Sequence, residues 1–159
     1  MGFTVRDATP QDLEFIIHAN ATLAKESEGI ELDLELLRPG VIAVLGDRSL
    51  GRYFIAQQDG RAVGQMMLTY EWSDWRNGVF WWIQSVFVEP ACRGRGVFSL
   101  LFRHVAQLAR ESSGVCGLRL YVDRSNTSAQ QIYGHLGLHA SNYGVMEEVF
   151  RGPTSHSGH

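Results

Sequence analysis

Val86-Phe87-Val88-Glu89-Pro90-Ala91-Cys92-Arg93-Gly94-Arg95-Gly96-Val97-Phe98-Ser99-Leu100-Leu101 is the stretch on which the reading of this chain turns. Upstream, Val79 to Val88 is aromatic and β-branched on both faces, which predicts a strand covered on both sides and therefore central. Pro90 stops it. Beyond the Arg93-Gly94-Arg95-Gly96 turn, Val97, Leu100, Leu101, Val105 and Leu108 recur at helical spacing and predict a helix to about Ser112. A strand passing through glycines into a helix start gathers unpaired main-chain N–H groups and the positive end of the helix dipole. Gly94 and Gly96 leave that main chain unobstructed, and Arg93 and Arg95 add cationic donors, so the turn suits a diphosphate. The competing reading is an ordinary tight turn, because short glycine motifs recur by chance. Neither Gly-x-Gly-x-x-Gly nor a Gly-Lys-Ser/Thr ending is present, so two familiar nucleotide loops do not apply.

Outward from this unit, residues 3–7 predict a short strand, and Thr9-Pro10-Gln11-Asp12 carries a cap, a first-turn proline and an acid in third place. A helix is expected from Pro10 to about Glu26, and a second from the Asp33 cap to Gly46, bent or restarted at Pro39. Residues 51–58 and 61–71 flank Asp59-Gly60 as a hairpin, and 72–78 connect to the central strand. After the third helix come a strand at 116–122, a helix capped at Ser125-Asn126 and ended by Gly137, and a last strand at about 143–150. The order β-α-α-β-β-β-α-β-α-β predicts a mixed α/β sheet with helices on both faces. The expected organisation is one domain over 1–150 and a flexible tail over 151–159.

Composition fits this picture and narrows the function. At 159 residues with 45% hydrophobic and 19% charged residues, the chain has the makings of a single packed core, not of a disordered or coiled-coil protein. The formal charge of −3 lacks the positive footprint that nucleic acid demands. No apolar run approaches a membrane span, and no secretion signal is expected at the start. Cys92 and Cys116 form no metal-type spacing and suit a reducing cytoplasm.

With Arg93 and Gly96 spaced as Gln/Arg-x-x-Gly-x-Gly/Ala after a central strand, the sequence resembles the GNAT family of N-acetyltransferases. Phe98 stands where that motif has glycine or alanine. The segment Asn126 to Leu138 is similar to the family's Asn-x-x-Ala-x-x-x-Tyr-x-x-x-Gly-Phe, so the resemblance covers about residues 3–150. It implies a GNAT-like fold that binds acetyl-CoA, with pantetheine along Val86, Phe87 and Val88 by strand addition. The diphosphate then falls on Arg93, Gly94, Arg95, Gly96, Val97, Phe98 and Ser99. It further implies Tyr133 as the acid that protonates the departing thiolate, against the plainer reading of a core aromatic. Asn126 bonds the pantetheine or merely caps its helix.

The general base is less legible, because Trp81-Trp82-Ile83-Gln84-Ser85 contains no carboxylate. Glu71 and Asp74 are the candidates, acting directly or through water; the alternatives are a solvated strand end and an Asp74–Arg76 surface pair. All four tryptophans fall between Trp72 and Trp82, and only one of the adjacent Trp81 and Trp82 can meet the cleft. Glu26, Glu28, Glu31, Asp33 and Glu35 either attract a cationic amine or are solvated helix ends. Cys92 invites comparison with a ping-pong acyl-cysteine, but direct transfer is expected. The expected activity is transfer of acetyl to a primary amine of a small molecule, without metal, nucleic acid or membrane. A coenzyme-binding sensor without catalysis and an enzyme acting on protein N-termini or lysines are the alternatives. A homodimer is compatible with the aromatic content.

Overall fold

The structure is a computed structural model that describes residues 2–154. The chain opens with β1 (Thr4–Asp7) and a tight helical turn at Pro10–Asp12, followed by α1 (Leu13–Glu28) and α2 (Leu34–Gly46). Asp12 fixes the first junction: it accepts two bonds from the Arg6 guanidinium at 2.8 and 2.9 Å and one from the Thr9 N–H at 2.7 Å. Gly29, in the left-handed region at φ 66°, ends α1, and Asp33 caps α2 through the Glu35 N–H. Pro39 neither ends nor restarts α2. Its missing donor deprives only the exposed Glu35 carbonyl, which water can serve.

β2 (Arg52–Gln58) and β3 (Arg61–Ser73) form the expected hairpin, with positive φ at both Asp59 (51°) and Gly60 (77°). The next turn is shorter than expected, because β3 runs on to Ser73 and β4 (Gly78–Val88) begins with Gly78 paired to Ser73. Then follow α3 (Val97–Glu111), β5 (Val115–Leu120) and α4 (Thr127–His135). The sheet order is β1-β2-β3-β4-β5, antiparallel up to β4, with β5 parallel to β4.

Period-two alternation sends the two faces of the sheet into separate cores. Phe54, Met66, Leu68, Trp81 and Ile83 meet Leu101, Val105 and Ala109 of α3 on one face. Tyr53 and Ile55 meet Ile16, Ile17 and Val41 of α1 and α2 on the other. The expectation of a last strand at 143–150 is corrected: these residues join no ladder. Val145-Met146 and Val149-Phe150 set apolar side chains side by side instead of alternating, and the chain beyond is held at α2, where the Asp33 N–H donates to the Pro153 carbonyl at 2.9 Å. Of the expected tail, residues 155–159 lie outside those described.

Candidate active site

β4 changes character at its midpoint. Val79 to Ile83 pair with β3 on one side and β5 on the other, but β5 ends at Leu120 opposite Ile83. From Gln84 to Val88, the β5 side of β4 has no strand partner among the described residues. A bulge marks the same place. Gln65 pairs with Phe87 and Met67 with Gln84, so β4 carries one residue more than β3, and Ser85 takes φ 49°. The wholly buried Gln65 amide donates to the Ser85 carbonyl at 3.0 Å.

Main-chain directions follow from the alternation. The Glu89 N–H donates to the Val63 carbonyl of β3 at 2.8 Å, so the N–H groups of Val88 and Val86 face the gap beside β5. Val86 and Val88 turn their side chains to the α3 core, and Phe87 lies edge-on to His18 of α1, with ring centroids 5.9 Å apart. The Val88 carbonyl is already occupied by the Arg93 Nε at 2.8 Å.

The turn that follows lies open. Gly94 (φ 73°) and Gly96 (φ 84°) are left-handed, and added methyl groups would meet nothing within 4 Å. None of the N–H groups from Gly94 to Ser99 has a hydrogen-bond partner among the described residues. Arg93 anchors this turn, since its Nη2 donates to Glu26 at 2.8 Å while its Nε holds Val88. Arg95 lies 4.9 Å over the Phe3 ring. Phe98, the departure from the glycine-rich pattern, packs on Tyr133 at 5.7 Å and Phe102 at 6.2 Å, and so seats α4 against the start of α3.

Tyr133 is half-buried, and burial pushes its phenol above the usual tyrosine range, which keeps the proton on. Asn126 is a cap: its Oδ1 accepts from the Ala129 N–H at 3.0 Å. That bond leaves the side-chain NH2 of Asn126 to serve a ligand.

The two candidate carboxylates part company. Glu71 points toward Trp82, whose Nε1–H donates to Oε1 at 3.0 Å, and the same oxygen accepts from Arg119 Nη1 at 2.6 Å. The Trp82 bond and the Arg119 cation hold Glu71 below the usual glutamate range. Asp74, by contrast, sits in the β3–β4 turn and accepts from the neighbouring Trp75 N–H at 2.8 Å. Gln84 stands six residues up β4 from Gly78, so strand rise puts Asp74 roughly 20 Å from the gap. That corrects Asp74 as a base, since one water cannot bridge such a distance.

Trp81 enters the α3 core, while Trp82 faces the other way and stacks on Tyr121 at 4.5 Å. Trp72 and Trp75 are exposed at the hairpin end. Of the acids near α2, Glu26 is taken by Arg93, Glu31 lies 3.7 Å from Lys25 and Asp33 caps its helix. Cys92 is buried in the α3 core, which leaves no room for an acyl-cysteine. The reading of the sequence missed Gln65, Arg119 and Tyr121. Arg119 on β5 and Tyr121 just past its end had a signal in the alternation Gly117-Arg119-Tyr121, whereas Gln65 is polar at a buried position and carries no local signature.

The profile of the acetyltransferase (GNAT) family matches residues 19–138. The chain belongs to that family. A possible acetyltransferase from Clostridium difficile 630 is 41% identical, with a TM-score of 0.88 over 94% of this chain and 99% of its own. An integron cassette protein from the mobile metagenome of Cole Harbour Salt Marsh shares the fold at 23% identity, with a TM-score of 0.81 over 94% of this chain and 91% of its own. A predicted acetyltransferase from Clostridium acetobutylicum, solved with acetyl-CoA, shares it at 17% identity, with a TM-score of 0.75 over 92% and 96%. Among curated proteins, none matches. No helix among the described residues is long and apolar enough to cross a membrane, and no group of His, Cys, Asp or Glu among them is arranged to hold a metal.

Proposed function

We propose that this GNAT-family protein is an N-acetyltransferase that moves the acetyl group of acetyl-CoA to a primary amine of a small molecule by direct attack. One observation carries the reading: the open edge of β4 at Gln84–Val88 runs straight into the unpartnered N–H groups of Gly94–Ser99. These two features fit two different parts of one ligand. Strand-edge N–H groups at Val86 and Val88 suit an amide-bearing chain, and bare amides at a helix start suit a diphosphate. The likeness to a structure solved with acetyl-CoA supports the same donor.

When bound, the thioester supplies an activated acyl carbon and a thiolate leaving group. The chain's own groups then have definite work. Val86 and Val88 hold the donor, and an N–H aimed at the carbonyl oxygen stabilises the charge that develops there. The amine nitrogen forms its bond to the acyl carbon as the carbon–sulfur bond breaks, and the Tyr133 hydroxyl gives its proton to the sulfur. The cationic amine loses one proton to water to become nucleophilic and a second as the amide forms, and water returns one of them to the Tyr133 phenolate. Pinned by Trp82 and Arg119, Glu71 stays ionised at neutral pH, which suits drawing in a cationic amine.

The test is calorimetry with acetyl-CoA and free CoA, followed by turnover across a panel of small amines and peptides. Binding with transfer to small amines supports the reading. Binding with no turnover on any acceptor would favour a coenzyme sensor, and turnover on peptides alone would move the acceptor to protein.

A further inference from the structure

Five large apolar side chains stand in the open within eight residues: Tyr143, Val145, Met146, Val149 and Phe150, with Met146 98% and Phe150 87% exposed. Such crowding on a segment with no ladder of its own marks a contact surface. The molecule holds its complement. β5 is hydrogen-bonded on the β4 side only, and its outer edge from Val115 to Leu120 is free of any strand among the described residues. Between that strand and α3 lies a cavity of about 270 Å³, lined by Phe102, Ala106, Leu118, Leu136 and Leu138 and bordered by Arg110. An unpaired edge above an apolar hollow is a template for one more strand.

The segment does not reach its own edge. Gly144 lies beside Arg124, just past the end of β5, and the Pro153 carbonyl is tethered to the Asp33 N–H at the start of α2. That start follows the end of α1, where Glu26 meets Arg93 beyond the C-terminal end of β4. Both ends of the arm therefore stay at one end of the sheet. An eight-residue strand is roughly 25 Å long, so laying it antiparallel on its own β5 would carry Phe150 toward Val115 and pull Pro153 away from α2.

We propose that residues 143–150 form an antiparallel strand on the β5 edge of a second copy of this chain, and that the exchange is reciprocal. A twofold arrangement satisfies both edges and both arms at once. Glu147 and Glu148 on the arm meet an edge bordered by Arg110 of α3, which fits the pairing in charge. The proposal does not depend on the catalytic reading, because nothing in it touches the donor or the acceptor.

Cys116, exposed on β5, supplies the test. Val145→Cys, Glu147→Cys and Val149→Cys, each made singly in the full chain, are oxidised mildly over a range of dilutions. The expected result is a covalent dimer for at least one position, in a yield independent of dilution, that Cys116→Ser abolishes. Sedimentation of the unmodified chain should give a dimer. Val145→Asp with Val149→Asp should weaken it ~100-fold while leaving the circular dichroism spectrum of the folded chain in place. A monomer at all concentrations, a disulfide closed within one chain, or a dimer indifferent to the double substitution would each overturn the proposal.

Discussion

The two halves of β4 share one strand and do opposite work. From Val79 to Ile83 both edges are paired, and Trp81 and Ile83 lie deep in the α3 core. From Gln84 to Val88 one edge has no strand partner among the described residues, a bulge intervenes and Ser85 is left-handed. Apart from that one extra residue, nothing was inserted to make the second half a site. β5 simply ends, and the main chain that it would have covered becomes the binding surface, rigid because β3 and α3 still hold its other sides. The arrangement separates stability from function along a single strand, so substitutions beneath the two halves should separate the same way.

The largest effect is expected on chemistry alone. Tyr133→Phe should lower kcat on the order of 100-fold, while the affinity for acetyl-CoA measured by calorimetry stays within about twofold. Unchanged turnover would make Tyr133 only the aromatic that packs on Phe98. On the paired side, Leu101→Ala empties a wholly buried position under Trp81 and Ile83 and should cost about 3 kcal/mol in denaturant titration. A cost below about 1 kcal/mol would show that this core is not what holds the paired half.

A smaller effect follows at the open end. Gly96→Val puts a β-branched residue at φ 84° where the N–H groups are bare, at about 1–2 kcal/mol of backbone strain. Acetyl-CoA affinity should fall roughly tenfold, with the melting temperature reduced only by the strain. Equal affinity would detach the diphosphate from this turn.

The smallest effect concerns pH and β1, far from the gap. Arg52 holds Asp7 below the usual aspartate range. Burial pushes Asp12 upward, but its bonds from Arg6 and the Thr9 N–H outweigh that and leave it lowered as well. A carboxylate lowered on folding contributes stability above its unfolded pKa, near 3.9, and loses it as pH falls through the folded value. Stability should therefore hold from neutral down to about pH 4 and decline below it. Asp7→Asn should lower the neutral plateau and flatten the acid decline. An unchanged acid slope would place that loss elsewhere.

Much of this was written in the sequence. The β-branched and aromatic run of β4, the glycine turn and the helical spacing after Val97 are local patterns, and each became the element it announced. What stayed hidden depends on partners distant in sequence. Where β5 ends against β4 is a matter of register, and so is the pairing of Glu71 with Arg119, 48 residues away. Asp74 looked close to the cleft because it is close in sequence, whereas the hairpin puts it at the far end of the strand. The stretch 143–150 has a strand's composition, but the tether of Pro153 to α2 keeps it off the free edge of its own β5.

Hydrogen exchange read amide by amide, with and without acetyl-CoA, reports whether the donor lies along the open half of β4. New protection is expected at Val86, Val88 and the amides from Gly94 to Ser99, with no change along Val79–Ile83, whose amides are already paired. Protection that bypassed the open half of β4 and appeared elsewhere would contradict that placement.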